Sequence, residues 1–213
     1  MTTDAPTPRR TQTRERLMDA AVEAFARHGV GGASVEAICE LAGFTRGAFY
    51  SNFDSKVELC EAVLERLGRQ NLEVVSEALD RIETVDADSV EAVVRQVLGM
   101  YMASGGADPT STVAAIELRL QASRDEALRP VYLNVNRRIT DGMAAVLTAA
   151  CARHHMELDV PAVQLCSMMH AMFEFETLKA LMGDQSPEDA VENLAQVVRA
   201  LLRPAPESDA AAS

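Results

Sequence analysis

Apolar positions at i, i+3, i+4 and i+7 recur along most of this chain, while alternation with a period of two is missing. Leu17, Ala20, Ala21, Ala24 and Phe25 fall on one helical face that ends at His28-Gly29. Val35, Ile38, Cys39 and Ala42 repeat the pattern. Ser34 is placed to cap the free backbone N–H groups of that second helix, and Gly43 follows it where a left-handed residue is cheapest. Thr45 can cap a third, short helix in which Phe49 and Phe53, four residues apart, share one face. Ser55 and Glu58 have the spacing of a capping box, so a long helix begins there. Its apolar positions, Val57, Leu59, Val63, Leu64, Leu67 and Leu72, continue to about Ile82.

Caps punctuate the remainder. Asp88 to Glu91 restarts a helix that runs to about Ala103, and Gly105-Gly106 breaks it. Asp108-Pro109 is a cap followed by proline at the first helical position. Ser123 and Glu126 have capping-box spacing for a helix that carries Pro130 early and reaches about His155. Asp159-Val160-Pro161 opens the next helix and Gly183 closes it. Ser186-Pro187-Glu188-Asp189 opens the last, which reaches Leu202 and is stopped by Pro204. Val and Ile do not gather into alternating runs, so strands find little support. The expectation is an all-α chain of about nine helices, the first three forming a head. The expected boundaries are a flexible arm over 1–10, the head over 11–54, a helical second domain over 55–203 and a disordered tail over 204–213.

Composition narrows the class. Hydrophobic residues make up 48% of the 213, enough for a core. No apolar run approaches ~20 residues, so no membrane span is expected. The polar start MTTDAPTPRR is no secretory signal. Cys39, Cys60, Cys151 and Cys166 lack C-x-x-C spacing, and reduced thiols in a cytoplasmic protein are the expectation.

The segment from Ser34 to Lys56 carries the chemistry. Helix, tight turn and second short helix make a helix-turn-helix, which leaves Arg46, Gly47, Tyr50, Ser51 and Asn52 to face outward. Lys56 falls in the first turn of the following helix, where the dipole disfavours a cation; a nearby phosphate would explain it. The stretch A-G-F-T-R-G-A-F-Y-S-N-F-D-S-K, Ala42 to Lys56, resembles the recognition segment of the TetR family of bacterial transcriptional regulators. The resemblance covers roughly residues 11–60. One departure is Asn52, which stands where many members carry histidine and keeps a donor for a phosphate.

Net charge is −12, an unusual value for a DNA binder. Residues 1–60 hold seven Lys and Arg against eight Asp and Glu, a net −1, and the rest hold thirteen against twenty-four, a net −11. The acid therefore lies beyond the head, where Arg9, Arg10, Arg14, Arg16, Arg46 and Lys56 remain to line a small DNA-facing patch. Double-stranded DNA is the expected partner, with Arg46 reading a base by its fork to guanine O6 and N7. Thr45, Gly47 and Ser51 contact bases or let the backbone approach, and Ser34, Tyr50, Asn52 and Lys56 hold phosphates.

Residues 162–182 are apolar nearly all round (Val163, Leu165, Met168, Met169, Met172, Phe173, Phe175, Leu178, Leu181, Met182), the mark of a helix buried on every side. The next helix has a wide stripe from Ala190 to Leu202. Two such helices from each of two subunits would form a four-helix bundle, and the resemblance implies the same homodimer through residues 162–202. The plain alternative is an intramolecular core.

The resemblance also implies a pocket for a small effector in the second domain, whose filling releases DNA through a shift of the long helix from Ser55. Methionines suit irregular apolar space, so an apolar or aromatic effector is expected, lined by Met100, Met102, Met143, Met169, His170, Phe173 and Glu174. Ser167, His170 and Glu174 share a stripe that orients the ligand, pairs across the dimer, or simply makes structural hydrogen bonds. The function expected is a ligand-responsive dimeric repressor, released from a palindromic operator, with no cofactor, metal or catalytic residue. Two alternatives stand beside it. One is an enzyme or metal protein using His170 and Glu174, although no H-E-x-x-H, phosphate loop or serine elbow is present. The other is a helical protein-interaction module, which has no reason to expose Arg46, Tyr50 and Lys56 together.

Overall fold

The structure of the chain, a computed structural model, describes residues 8–82, 90–103 and 108–205; the side chains of 90–93, 101–103 and 187 are not among those described. Among the described residues there are nine α-helices: α1 (Pro8–Gly32), α2 (Val35–Ala42), α3 (Arg46–Tyr50), α4 (Lys56–Asp80), α5 (Val90–Ala103), α6 (Pro109–Arg124), α7 (Leu128–Arg153), α8 (Ala162–Leu181) and α9 (Pro187–Leu201). Two short strands, β1 (Met156–Leu158) and β2 (Leu202–Pro204), complete the fold. No described helix is long and apolar enough to cross a membrane.

The chain divides into two compact units. One holds the residues up to Arg69 together with Asp108–Arg137, and the other holds Gln70–Ala107 with the residues from Arg138. The unit around the head thus extends beyond residues 11–54, because it also takes the first part of α4, all of α6 and the first part of α7. Its core is Leu17 and Phe25 of α1, Ile38 of α2, Phe49 and Phe53, Leu59 and Val63 of α4, Leu118 of α6, and Leu128 and Val135 of α7, each almost fully buried. α1 starts at Pro8, inside the stretch expected to be an arm, as proline at a first helical position allows. Its regular part ends where expected, at Gly29 (φ 69°, ψ 161°). The positive φ is what favours glycine there; the nearest atom to an added Cβ, Oε2 of Glu117 on α6 at 2.9 Å, is the end of a flexible side chain that can move aside.

Local caps explain most of the helix starts. Asp108 accepts from Ser111 N at 2.8 Å, and Ser186 and Asp189 form a reciprocal capping box at the start of α9. Two expected caps differ. The Ser123 hydroxyl donates back to the Leu120 carbonyl, and Asp125 caps α7 by accepting from the Ala127 and Leu128 N–H groups at 2.9 and 3.2 Å. α6 runs through Ser123 to Arg124, which leaves that serine inside a helix rather than ahead of one. Asp159 caps nothing either; its carboxylate accepts from Arg203 Nε at 2.7 Å, and α8 starts at Ala162, after Pro161 at the N-cap, without a side-chain cap.

In the second unit α9 packs against α5 and α8, with Leu165, Leu194 and Ala195 buried. The strands were not expected. They pair antiparallel, Met156 with Pro204 and Leu158 with Leu202, too short for a period-two pattern to show. Within the single chain α8 also departs from the expected all-round burial. Val163, Met168, Phe175, Leu181 and Met182 are exposed, while Glu174, Glu176 and Thr177 are buried. Each has a local partner: Glu176 accepts from Gln185, the Thr177 hydroxyl donates to the Phe173 carbonyl at 2.8 Å, and Glu174 Oε1 lies 3.3 Å from His170 Nε2.

Candidate nucleic-acid interface

Two caps and one glycine build the turn between α2 and α3. Ser34 Oγ accepts from Ala37 N at 3.1 Å to start α2. Gly43 (φ 70°) ends it, with Phe44 N donating to Cys39 O at 2.8 Å and Gly43 N to Glu40 O at 3.1 Å, the two bonds of a Schellman closure. Thr45 Oγ1 accepts from Ala48 N at 3.2 Å and starts α3 two residues later. α3 has only five residues, too few to be stable alone, so packing has to hold it. Phe49 and Phe53 do this from below, both essentially buried with ring centroids 5.7 Å apart. Tyr50 is half exposed and meets Phe49 edge-on at 5.2 Å.

α1 braces the turn from behind. Arg14 lies over the Phe53 ring, donates to the Asn52 carbonyl at 2.5 Å and reaches Glu58 at 3.4 Å. Arg16 donates to the Ala42 carbonyl at 2.8 Å and lies 4.7 Å from the Phe44 ring. Both arginines, expected in the DNA-facing patch, thus hold the turn together. Arg66 of α4 ties the same helix from its other side, donating to Asp19 at 2.7 Å and Glu15 at 3.1 Å.

The residues expected to touch DNA separate into two groups. Ser34, Thr45, Arg46, Gly47, Tyr50 and Ser51 are exposed. A Cβ on Gly47 would meet only Thr45 Oγ1, at 3.7 Å, so packing does not demand glycine there and a bare backbone faces outward. Asn52 and Lys56 instead turn inward. Asn52 is 7% exposed, and its Nδ2 donates to the Ala48 carbonyl at 2.8 Å. Lys56 donates to the Val30 carbonyl, and burial lowers its pKa from the ordinary lysine value. That internal bond explains a lysine at the start of α4 without any phosphate.

Arg46 is the exposed cation of α3. Its Nη1 is 2.5 Å from Glu36 Oε1, its Nη2 is 3.5 Å from the Tyr50 hydroxyl, and its guanidinium lies 5.7 Å from the Tyr50 ring. The Tyr50 hydroxyl first, and the Glu36 carboxylate second, push its pKa further up. Glu36 carried no sequence signal of its own. It reads as an acidic residue favouring the α2 dipole, which it also is.

This geometry is matched by what the sequence is similar to. Residues 17–63 match the family described as bacterial regulatory proteins, tetR family. Residues 88–204, more than half of the chain, match the tetracyclin repressor-like C-terminal domain. The chain belongs to the TetR family. Among curated relatives, the HTH-type transcriptional regulator SrpR of Pseudomonas putida is 47% identical over 53 residues, 25% of this chain and 25% of SrpR. The chain thus spans only a quarter of that relative's length. UidR of Escherichia coli K12, also an HTH-type transcriptional regulator, is 22% identical over 194 residues, covering 89% of this chain and 91% of UidR. A putative TetR-family regulator from Rhodococcus sp. shares the fold with a TM-score of 0.72 at 22% identity, over 90% of this chain and 98% of its own. FadR of Bacillus subtilis, solved in complex with stearoyl-CoA, has a TM-score of 0.64 at 19% identity, over 87% and 95%.

In this TetR-family chain the residues expected to line an effector pocket all belong to the second unit. Met100, Met143, Met169 and Phe173 are half-buried, and Met102 lies outside the described side chains. His170 is half exposed, with its Nε2 3.3 Å from Oε1 of the buried Glu174. Ser167, expected on the same stripe, donates to the Val163 carbonyl of its own helix at 2.9 Å. Among the described residues no three His, Cys, Asp or Glu side chains gather as a metal site.

Proposed function

We propose that this chain is a ligand-responsive, DNA-binding transcriptional regulator of the cytoplasm, a repressor that acts as a homodimer on a palindromic operator. The observation that carries this reading is the outward face of α3. Arg46, Gly47 and Tyr50 stand exposed on a five-residue helix that Phe49 and Phe53 anchor from beneath, and Ser51 is exposed at its C-cap. Such a helix is held out rather than packed in, as a recognition helix in a major groove must be. Arg46 reads a guanine, Thr45, Gly47 and Ser51 approach neighbouring bases, and Ser34 and Tyr50 hold phosphates. Asn52 and Lys56 serve the same surface from inside, by bracing the turn and the start of α4.

The exposed apolar face of α8 supports dimerisation through residues 162–202. Phe175 and Met182 are 60% and 74% exposed in the single chain, and a second copy would cover them. The effector is small and apolar or aromatic, held in the second unit by its methionines and Phe173 with Glu174 as the polar group. The stearoyl-CoA bound to the FadR neighbour, a ligand with a long apolar chain, supports that chemistry. α4, whose residues belong to both units, is the covalent route by which ligand binding reaches the head.

Selection of bound sequences from random duplex DNA with the purified protein tests the reading. A two-fold palindrome containing a guanine in each half-site is expected; no enriched sequence would end it.

A further inference from the structure

The Arg46 fork is not free in this head, and its partner is itself on the outward side. Glu36, in the first turn of α2, holds Arg46 Nη1 at 2.5 Å across the helix-turn-helix, and both side chains are more than half exposed. A carboxylate there is stabilised by the α2 dipole, while a cation at the first residue of α3 is not, so the pair compensates the arginine's position. Arginine has five N–H donors; Glu36 and the Tyr50 hydroxyl engage one terminal nitrogen each, and these two contacts leave other N–H groups of the guanidinium unused.

We infer that Glu36 is a specificity-determining positioning residue, which aims Arg46 at a guanine and denies it to phosphates. The inference rests on the proposal that α3 reads bases. An exposed arginine on a flexible stem finds phosphate oxygens on any duplex, which raises affinity without sequence information. A carboxylate bonded to its Nη1 removes that freedom. It also places a negative charge against the DNA surface, which opposes binding wherever Arg46 has no guanine to meet. With guanine at the right position, Arg46 donates from its remaining N–H groups to O6 and N7 while Glu36 keeps hold of Nη1. The near-neutral charge of the head, −1 over residues 1–60, fits the same logic: such a head gains little from DNA in general.

The test uses the full-length dimer and three duplexes: the selected operator, the operator with the guanine opposite Arg46 replaced in both half-sites, and an unrelated sequence. Glu36→Gln keeps the shape and removes the charge. It is expected to tighten the unrelated duplex about three- to tenfold, to leave the operator within about twofold, and to steepen the non-specific salt slope by about one. Preference for guanine at the Arg46 position should fall with it, a readout that a merely structural role would not move. Thermal melting of the variant without DNA checks that the head remains folded, and Glu36→Asp, which retains the charge on a shorter stem, should keep the unrelated duplex weak. If Arg46→Ala abolishes the preference for guanine while Glu36→Gln leaves the specific-to-unrelated ratio unchanged, the role given to Glu36 is overturned and base reading by α3 stands. If Glu36→Gln instead weakens the operator selectively, Glu36 contacts a base itself and the inference also fails. If Arg46→Ala leaves the preference intact, base reading by Arg46 fails and takes the inference with it.

Discussion

The guanidinium carbon of Arg14 lies 4.0 Å from the centroid of the Phe53 ring, and its Nη1 donates to the carbonyl of Asn52, the residue just before that ring, at 2.5 Å. One side chain of α1 thus clamps both the backbone and the aromatic anchor of the segment between α3 and α4. Lysine cannot reproduce a planar group that stacks and donates at once. Arg14→Lys is expected to lower head stability by about 1 kcal/mol and Arg14→Ala by somewhat more. Urea unfolding checks this, and wild-type stability in both variants would show that the contact is idle.

Arg66 sets up an asymmetry. Its side chain is 10% exposed, its partners Glu15 and Asp19 are 46% and 68% exposed, and its Nε has no hydrogen-bond partner. Removing the arginine leaves two carboxylates in water; removing the carboxylates leaves a buried cation alone. Arg66→Met should therefore cost about 1 kcal/mol or less, whereas Glu15→Gln with Asp19→Asn should cost about 2–4 kcal/mol. Thermal melts of the two variants should fall in that order, and the reverse order would contradict the burial argument.

Lys56 is expected to matter without DNA present. Because its ammonium donates to the Val30 carbonyl, Lys56→Met should lower the melting temperature of the free protein. The salt slope of operator binding should stay the same. A slope reduced by about one would return Lys56 to the phosphates.

Phe175 tests the assembly. Inside the single chain the ring of Phe175, 60% exposed on α8, lies 5.7 Å from Lys179 Nζ, and glutamate would keep a favourable contact with that ammonium. Phe175→Glu should therefore leave helicity intact and convert the dimer to monomer in sedimentation at micromolar concentration, with operator binding lost alongside. A dimer that survives would place the interface elsewhere.

Cys60 provides a pH test. Burial pushes its thiol from 9.0 up to about 12. Between those values the unfolded chain releases a proton that the folded chain retains, so this thiol's contribution is complete below pH 9 and declines as pH rises towards about 12. Lys56, whose pKa burial lowers, has the opposite slope, because just below 10.5 the unfolded chain binds the extra proton. Cys60→Ala should therefore flatten the alkaline loss of stability in urea titrations. In the wild-type protein a thiol reagent at about pH 8 should label half-buried Cys151 and Cys166 well before buried Cys39 and Cys60.

Much of the head was legible because its signals are local. Ser34, Gly43 and Thr45 act on backbone groups within five residues of themselves, and the spacing of Phe49 and Phe53 is a property of one short segment. Asp125 shows the limit. Ser123 and Asp125 are both good caps, and only the path of the backbone after Arg124 selects between them. The carbonyl partners of Arg14, Arg16 and Lys56 are not legible for a related reason: charge alone says that a residue seeks a partner, not whether that partner is a phosphate or a carbonyl across the head.

By itself the sequence determined nine helical segments, their principal caps, and a helix-turn-helix with Arg46 at the start of its short helix, because periodicity and capping act over a few residues. Only the tertiary structure decided that Glu36 holds Arg46, that Asn52 and Lys56 face inward, that residues 202–204 pair with 156–158, and that Glu174 and Glu176 are buried on α8 while Phe175 is not. Three of these relationships, Glu36 with Arg46, Lys56 with Val30 and the strand pairing, join residues 10 to 48 positions apart. Chain folding has to bring such pairs together before any contact between them exists, and nothing within a short window of sequence records which of them will meet.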